Sequence, residues 1–286
     1  MRMRVLYADS AEWLTAARQI EQKCIGPASR IIKMTARASA GFLRLGEKEA
    51  FFKRIETGSW SRGLLSRLGG SHAARALRGA EILERAGFAH SRPLAAIEAR
   101  WLGAIRVSYV ITEPLRSARI FSQFALADGR NFQRREWICR RVASEIKNLH
   151  DAGIYTLDMQ ETNLMLESHG DQLTVYFIDL EDFRQVRRVS TRRRLLNLVQ
   201  LDRSVGRFIP RTRRLRFLYC YLGYKPSKEH ARQLVRRLLE LRRRAGRRSA
   251  SAKRAVQSSR PAPDANQRTF AVSASPPQPV RKTGNN

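Results

Sequence analysis

This sequence is short of acid. Its 286 residues carry 25 Asp and Glu against 55 Lys and Arg, a formal net charge of +30. That imbalance does not choose a fold. It disfavours cationic ligands and favours phosphate-rich partners: nucleic acid, anionic lipid or a phosphorylated glycan. Cysteine is scarce too. Cys24, Cys139 and Cys220 are odd in number and far apart, which excludes a disulfide framework and offers no zinc-ligand spacing. The five histidines share no spacing that would build a metal cluster. No apolar run approaches the roughly 20 residues of a membrane-crossing helix. Residues 1–9 lack the apolar core of a secretion signal. These absences lead to the expectation of a cytoplasmic protein whose membrane contact, if any, is peripheral. They set no oligomeric state.

What is present is a 43% hydrophobic chain, enough for a substantial core. A short helix is expected over 10–22. Three β-like runs follow at 30–34, 41–45 and 50–55, separated by turn-prone segments, then a basic loop at 58–70. A helix is expected from His72 to Ala86, with Ser71 as N-cap and Gly87 as stop. Strands are expected at 94–98 and 108–113, the second ended by Pro114. Ile138, Val142, Ile146 and Leu149 share one face of a helix over 134–150. Two short strands at 163–167 and 174–179 and leucine-rich basic helices within 191–245 complete the core pattern. After Ser249 the composition turns to Ser, Ala, Pro, Arg and Asn, the signature of a disordered tail. The order predicts an α+β, bilobal, protein-kinase-like fold. A small β-rich N-lobe with one helix spans 1–115, a mostly helical C-lobe spans 116–248, and a basic tail spans 249–286.

The chemistry concentrates in residues 158–165, Asp-Met-Gln-Glu-Thr-Asn-Leu-Met, and in Asp179 at the end of Val-Tyr-Phe-Ile-Asp. An acid, an amide five residues on, and a second acid closing an apolar strand have the spacing of a kinase catalytic loop and its metal-binding strand. In that chemistry the first Asp orients or deprotonates the attacking hydroxyl, and the Asn and second Asp hold Mg²⁺ on the phosphates of ATP. Asp158 is thus the candidate catalytic residue, and Asn163 and Asp179 the candidate metal ligands. Lys53, on the third β run, is placed to reach the α- and β-phosphates. Glu81 and Glu84 on the following helix are the candidates to hold that lysine, with Glu81 preferred. Glu181 and Asp182 read as solvated acids or as outer support for the metal. His150 reads as a helix-end residue packed on the loop. Two features depart from the usual pattern. Residues 35–41 carry a single glycine where a phosphate loop has several, and Thr156 stands where a His normally braces the catalytic loop.

These residues, taken in order, resemble the lipopolysaccharide kinases that phosphorylate Kdo or heptose of the inner core, the Kdo/heptose or InaA-like group. The likeness runs from about Arg30 to Gly223. It includes Phe52-Lys53-Arg54, Leu83-Glu84-Arg85-Ala86-Gly87-Phe88, Arg92-Pro93-Leu94, Ser108-Tyr109-Val110-Ile111-Thr112-Glu113, Leu149-His150-Asp151-Ala152-Gly153, and Ile178-Asp179-Leu180. The resemblance implies ATP- and Mg²⁺-dependent phosphoryl transfer to a sugar hydroxyl on lipid A–core glycolipid, at the inner membrane. It implies that backbone groups near Glu113 and Leu115 hold the adenine.

Other readings are weaker. No peptide-holding segment follows Asp179, which argues against a protein kinase. Choline or aminoglycoside acceptors are cationic, whereas residues 184–248 carry 22 Lys and Arg against 3 Asp and Glu. That stretch suits an anionic glycolipid and the anionic inner-membrane surface. An inactive kinase fold binding nucleic acid or membrane through its basic surface is the alternative. However, no nucleic-acid reading motif is present and aromatics are not interleaved with the basic runs, so no specific nucleic acid is expected.

Overall fold

The structure is a computed structural model and describes residues 1–22, 30–58, 69–127, 132–205 and 209–258. Most of the expected loop at 58–70, and Cys24, lie outside them. Contacts divide the chain into a large unit, Met1–Arg242, and a second, Arg243–Asn286.

Six antiparallel strands form the N-terminal sheet: β1 (Arg2–Ala8), β2 (Arg30–Met34), β3 (Ala38–Leu45), β4 (Lys48–Glu56), β5 (Pro93–Trp101) and β6 (Ala104–Thr112). Their spatial order is β1-β5-β6-β4-β3-β2. Helix α1 (Glu12–Glu21) packs Trp13, Ala16, Ala17 and Ile20 against one face, on Leu43, Phe52, Ile97, Tyr109 and Ile111. Helix α2 (His72–Arg85) lies on the other face, where Ala76, Ala80 and Leu83 join Ala96 and Val110. Both helices expected from the residues, over 10–22 and 72–86, are thus present, one more than the single helix given to the N-lobe. The N-terminal part also carries a strand, β1, that weak patterning over 1–8 did not reveal. Side chains alternate across a strand, so Phe52 beneath α1 forces Lys53 onto the α2 face. Lys53 is there in register with Ala40 and Val110.

Beyond the sheet come β7 (Arg119–Ile120), α3 (Phe121–Ala127) and α4 (Phe132–Asp151). Ile138, Val142, Ile146 and Leu149 of α4 are all fully buried, as their spacing predicts. Then follow β8 (Ile154–Thr156), β9 (Leu164–His169), β10 (Gln172–Phe177), β11 (Phe183–Gln185), α5 (Thr191–Val205), α6 (Arg211–Leu222) and α7 (Lys228–Ser258). β10-β9-β7 form one small sheet and β11-β8 another. The composition change at Ser249 does not end the last helix, because Ala, Lys, Arg and Gln after it are good helix formers. Residues 259–286 of the expected tail lie outside the described residues.

The Ser71 hydroxyl caps α2 by accepting from the Ala74 N–H at 3.0 Å, and Gly87 follows the helix at φ +74°, as expected. The helix then comes unusually close to the segment after β10. A Cβ on Gly79 would collide with the carbonyl oxygen of Leu180, in the 3-10 turn Leu180–Asp182. Only glycine permits that approach, and it brings the sheet-side helix onto the turn that follows Asp179. Gly79→Ala should therefore destabilise the fold by about 1–3 kcal/mol despite the better helix propensity of alanine. Urea unfolding checks this, and a stabilised variant would contradict the close approach.

Candidate active site

Lys53 reaches from β4 across the cleft. Its Nζ lies 2.6 Å from Asp179 Oδ1 and 2.6 Å from Glu181 Oε1. Burial alone would lower the ammonium's pKa, but the charges of Asp179 and Glu181 reverse this and raise it. Asp179 has a left-handed backbone, φ 59°, ψ 61°, a conformation Asp tolerates better than most residues. Glu181 sits two residues on and is buried. Its Oε2 accepts from His72 Nδ1 and, at 3.2 Å, from Arg75 Nη2, both in the first turns of α2. Burial pushes Glu181 upward, yet the His72 hydrogen bond and the Lys53 charge outweigh it and hold the carboxyl far below the usual range. Asp179 moves the other way: burial, with Glu181 beside it, outweighs Lys53 and raises it.

The preferred lysine partner from sequence, Glu81, is not there. Glu81 faces solvent and pairs with Arg85, and Glu84 is also exposed. The inward face of α2 is Ala73, Ala76, Gly79, Ala80 and Leu83, too tightly packed on the Leu180 turn to present a carboxylate. Glu181, read from sequence as a solvated acid, supplies it instead. No local signal marked it, because its partner Lys53 is 128 residues away.

Asp158 opens the facing loop. Gln160 Nε2 donates to its Oδ1 at 2.5 Å. Asn163 Nδ2 donates to the Asp158 carbonyl at 3.0 Å and to Oδ2 at 3.3 Å. The amide nitrogen is thus committed to the loop, leaving the amide oxygen as the atom Asn163 can offer a cation. Two backbone links fix this loop against Asp179: Ile178 N–H donates to the Asn163 carbonyl at 3.0 Å, and Leu157 N–H to the Asp182 carbonyl at 3.1 Å.

Thr156, in the place of a bracing histidine, is braced in another way. Its Oγ1 accepts from the Asp158 N–H at 3.2 Å. Asn197 of α5 donates to the Thr156 carbonyl at 2.6 Å. Gln200 donates to the Leu157 carbonyl and accepts from the Met159 N–H, and Ser204 accepts from the Glu161 N–H at 3.0 Å. Asn197, Gln200 and Ser204 lie at i, i+3 and i+7, one stripe of a helix. A polar stripe on a leucine-rich helix was the available signal, and sequence reading passed over it. His150, fully buried, is shared between Asn197 Oδ1 at 3.0 Å and the Tyr221 hydroxyl at 2.8 Å.

Glu113 and Leu115 lie where β6 ends. The Glu113 N–H donates to the Arg92 carbonyl at 2.9 Å, and its side chain pairs with Arg92. Leu115 is half-buried.

The sequence matches the lipopolysaccharide kinase (Kdo/WaaP) family over residues 33–221. The chain belongs to this family. Among solved structures, WaaP in complex with acyl carrier protein superposes on 86% of this chain and 99% of its own, with a TM-score of 0.61 and 19% identity, a likeness of fold. No curated protein matches the chain. The protein is therefore a lipopolysaccharide core-sugar kinase, a phosphotransferase using ATP, with the antiparallel sheet in its N-terminal region and helices in its C-terminal part. No helix of the described residues is long and apolar enough to cross a membrane.

His150 gives the kinase a pH signature. Burial pushes its imidazole down to about 4 from 6.5, against the Asn197 hydrogen bond that favours the charged form. Below pH 6.5 the unfolded chain takes up a proton that the folded chain refuses. Stability is then lost as pH falls from about 6.5 toward 4, by roughly 3 kcal/mol in total. His150→Gln should be less stable at pH 7.5 but lose less on acidification. Urea unfolding at a series of pH values checks this, and identical slopes for the two proteins would refute it.

Proposed function

We propose that this kinase transfers the γ-phosphoryl group of Mg·ATP to a hydroxyl of a Kdo or heptose sugar in the lipopolysaccharide inner core. The observation that carries the reading is the arrangement around one cleft. Asp158 and Asn163 are clasped within a single loop, that loop is bonded to Ile178 and Asp182 on either side of Asp179, and Lys53 meets Asp179 from the opposite sheet.

The donor set fits Mg²⁺. Asp179 and the Asn163 amide are hard oxygen donors, and Mg²⁺ is usually held by one or two protein groups with phosphates and water completing the octahedron. The turn is also crowded with negative charge. Asp182 is raised by burial, with Glu181 and Asp158 adding repulsion, and Asp179 by burial with Glu181 beside it. A bound cation neutralises that charge and the developing charge on the phosphoryl oxygens.

The chain's own residues do the rest. Lys53 holds the α- and β-phosphates. Backbone groups near Glu113 and Leu115 hold the adenine. Asp158, its two oxygens oriented by Gln160 and Asn163, orients the sugar hydroxyl and takes its proton. Phosphoryl transfer asks mainly for position and charge, so a rigid loop serves better than a strong base.

The test is transfer of labelled γ-phosphate from Mg·ATP to purified inner-core lipopolysaccharide. Asp158→Asn should lose about 100-fold or more in kcat while still binding ATP. Acceptors ending at Kdo and acceptors extended by heptose separate the two sugars. Equal labelling by both proteins would remove Asp158 from the mechanism.

The kinase meets its acceptor, in this reading, at the anionic inner-membrane surface. The basic surplus of 184–248 supports it, at about 1 kcal/mol per basic residue near the surface. Binding to vesicles containing anionic phospholipid should fall steeply between about 50 and 200 mM salt. Binding indifferent to salt would refute the electrostatic account.

A further inference from the structure

We infer that Glu181 is the positioning residue for Lys53, taking from the turn after Asp179 the role that a helix carboxylate plays in other kinases. The inference rests on Lys53 being the phosphate clamp. The geometry is that of a strut with two ends. Glu181 Oε1 faces β4 and receives Lys53 at 2.6 Å, while Oε2 faces α2 and receives His72 and Arg75. One carboxylate thereby ties the nucleotide lysine to the helix behind it. The usual polarity is reversed: here the helix brings the bases and the turn brings the acid.

Packing explains the reversal. With a Cβ on Gly79 excluded by the Leu180 carbonyl, α2 lies too near the turn for a glutamate to extend from its inward face. The acid must come from the turn itself, and Glu181 is the next residue. Its place beside the first turn of α2, at the positive end of the helix, favours the ionised carboxylate.

Chemistry explains why Asp179 does not suffice. An ammonium held only by the metal ligand would compete with the cation for the same oxygens. A second carboxylate keeps Lys53 anchored when Asp179 turns to the metal, so its Nζ stays aimed at the phosphates.

The experiment is a double-mutant cycle on the full chain, reading kcat and KM for ATP at saturating acceptor across a Mg²⁺ titration. Glu181→Gln should lower kcat/KM for ATP about 10- to 100-fold, and Glu181→Asp should recover part of it. Lys53→Met should cost at least as much. The double variant should fall no further than Lys53→Met alone, because Glu181 acts through the lysine. Additive losses, or a Glu181→Gln defect cured by more Mg²⁺, would overturn the proposal and make Glu181 a metal ligand. Non-additivity with Lys53 at Glu81 or Glu84, and not at Glu181, would overturn it as well. An unchanged kcat/KM in Lys53→Met would instead remove the clamp assignment itself, and this proposal with it. If Glu181→Gln does not fold, by thermal melting, the cycle is read with Arg75→Gln, which removes one of the two donors to Oε2 and should show a smaller coupling of the same sign.

Discussion

The Lys53 ammonium, held between the carboxylates of Asp179 and Glu181, joins strands and a turn more than a hundred residues apart in sequence. These groups are largely withdrawn from water. Removing one partner strands the others, at a cost of several kcal/mol. A surface pair such as Lys48–Glu12, half-exposed on both sides, contributes at most about 1 kcal/mol. Asp179 has a left-handed backbone in the turn from which its side chain and that of Glu181 meet the same ammonium. The close approach at Gly79, and His72 and Arg75 on the helix above, hold that turn in place. Sheet, helix and the turn after Asp179 are therefore positioned by one set of contacts.

The loop carrying Asp158 depends on a different support. Asp158 is attached to the C-terminal helices through backbone groups of its neighbours, received by Asn197, Gln200 and Ser204. Each neutral hydrogen bond contributes about 1 kcal/mol, but a buried backbone group left unpaired costs 1–3. The stripe thus discriminates sharply between one loop conformation and others. Thr156 is compatible with it because the brace is supplied by the helix beneath the loop, not by the residue two before Asp158. The departure from the usual histidine changes the route of support and leaves the loop supported.

Charge is divided in the same spirit. Three acids of the C-terminal part are each shared by two bases: Asp151 takes Lys147 and Arg194, Asp202 takes Arg214 and Arg242, and Glu136 takes Arg140 and Arg216. Two bases per acid still leaves a large cationic surplus over 184–248. Around the cleft acids and bases are matched more evenly, with Asp179, Glu181 and Asp182 near Lys53, Arg75 and Arg184.

How much of this was legible depended on range. The buried face of α4, the Ser71 cap, the strand carrying Lys53 and the Asp158/Asn163/Asp179 spacing are local patterns, and local physics writes them into adjacent residues. The strand β1 was invisible because its burial is mixed, and β8 and β11 because three residues cannot show a period. Glu181 and the α5 stripe failed for a deeper reason. Their meaning lies in partners 41 to 128 residues away, and an isolated Glu or Asn reads as a solvated group until the fold closes over it. One trace did exist. A helix whose inward face is Ala73, Ala76, Gly79 and Ala80 is built to lie close to backbone, and a helix that close has no room to supply the acid Lys53 requires. From that face alone, the carboxylate should have been sought on the segment the helix touches.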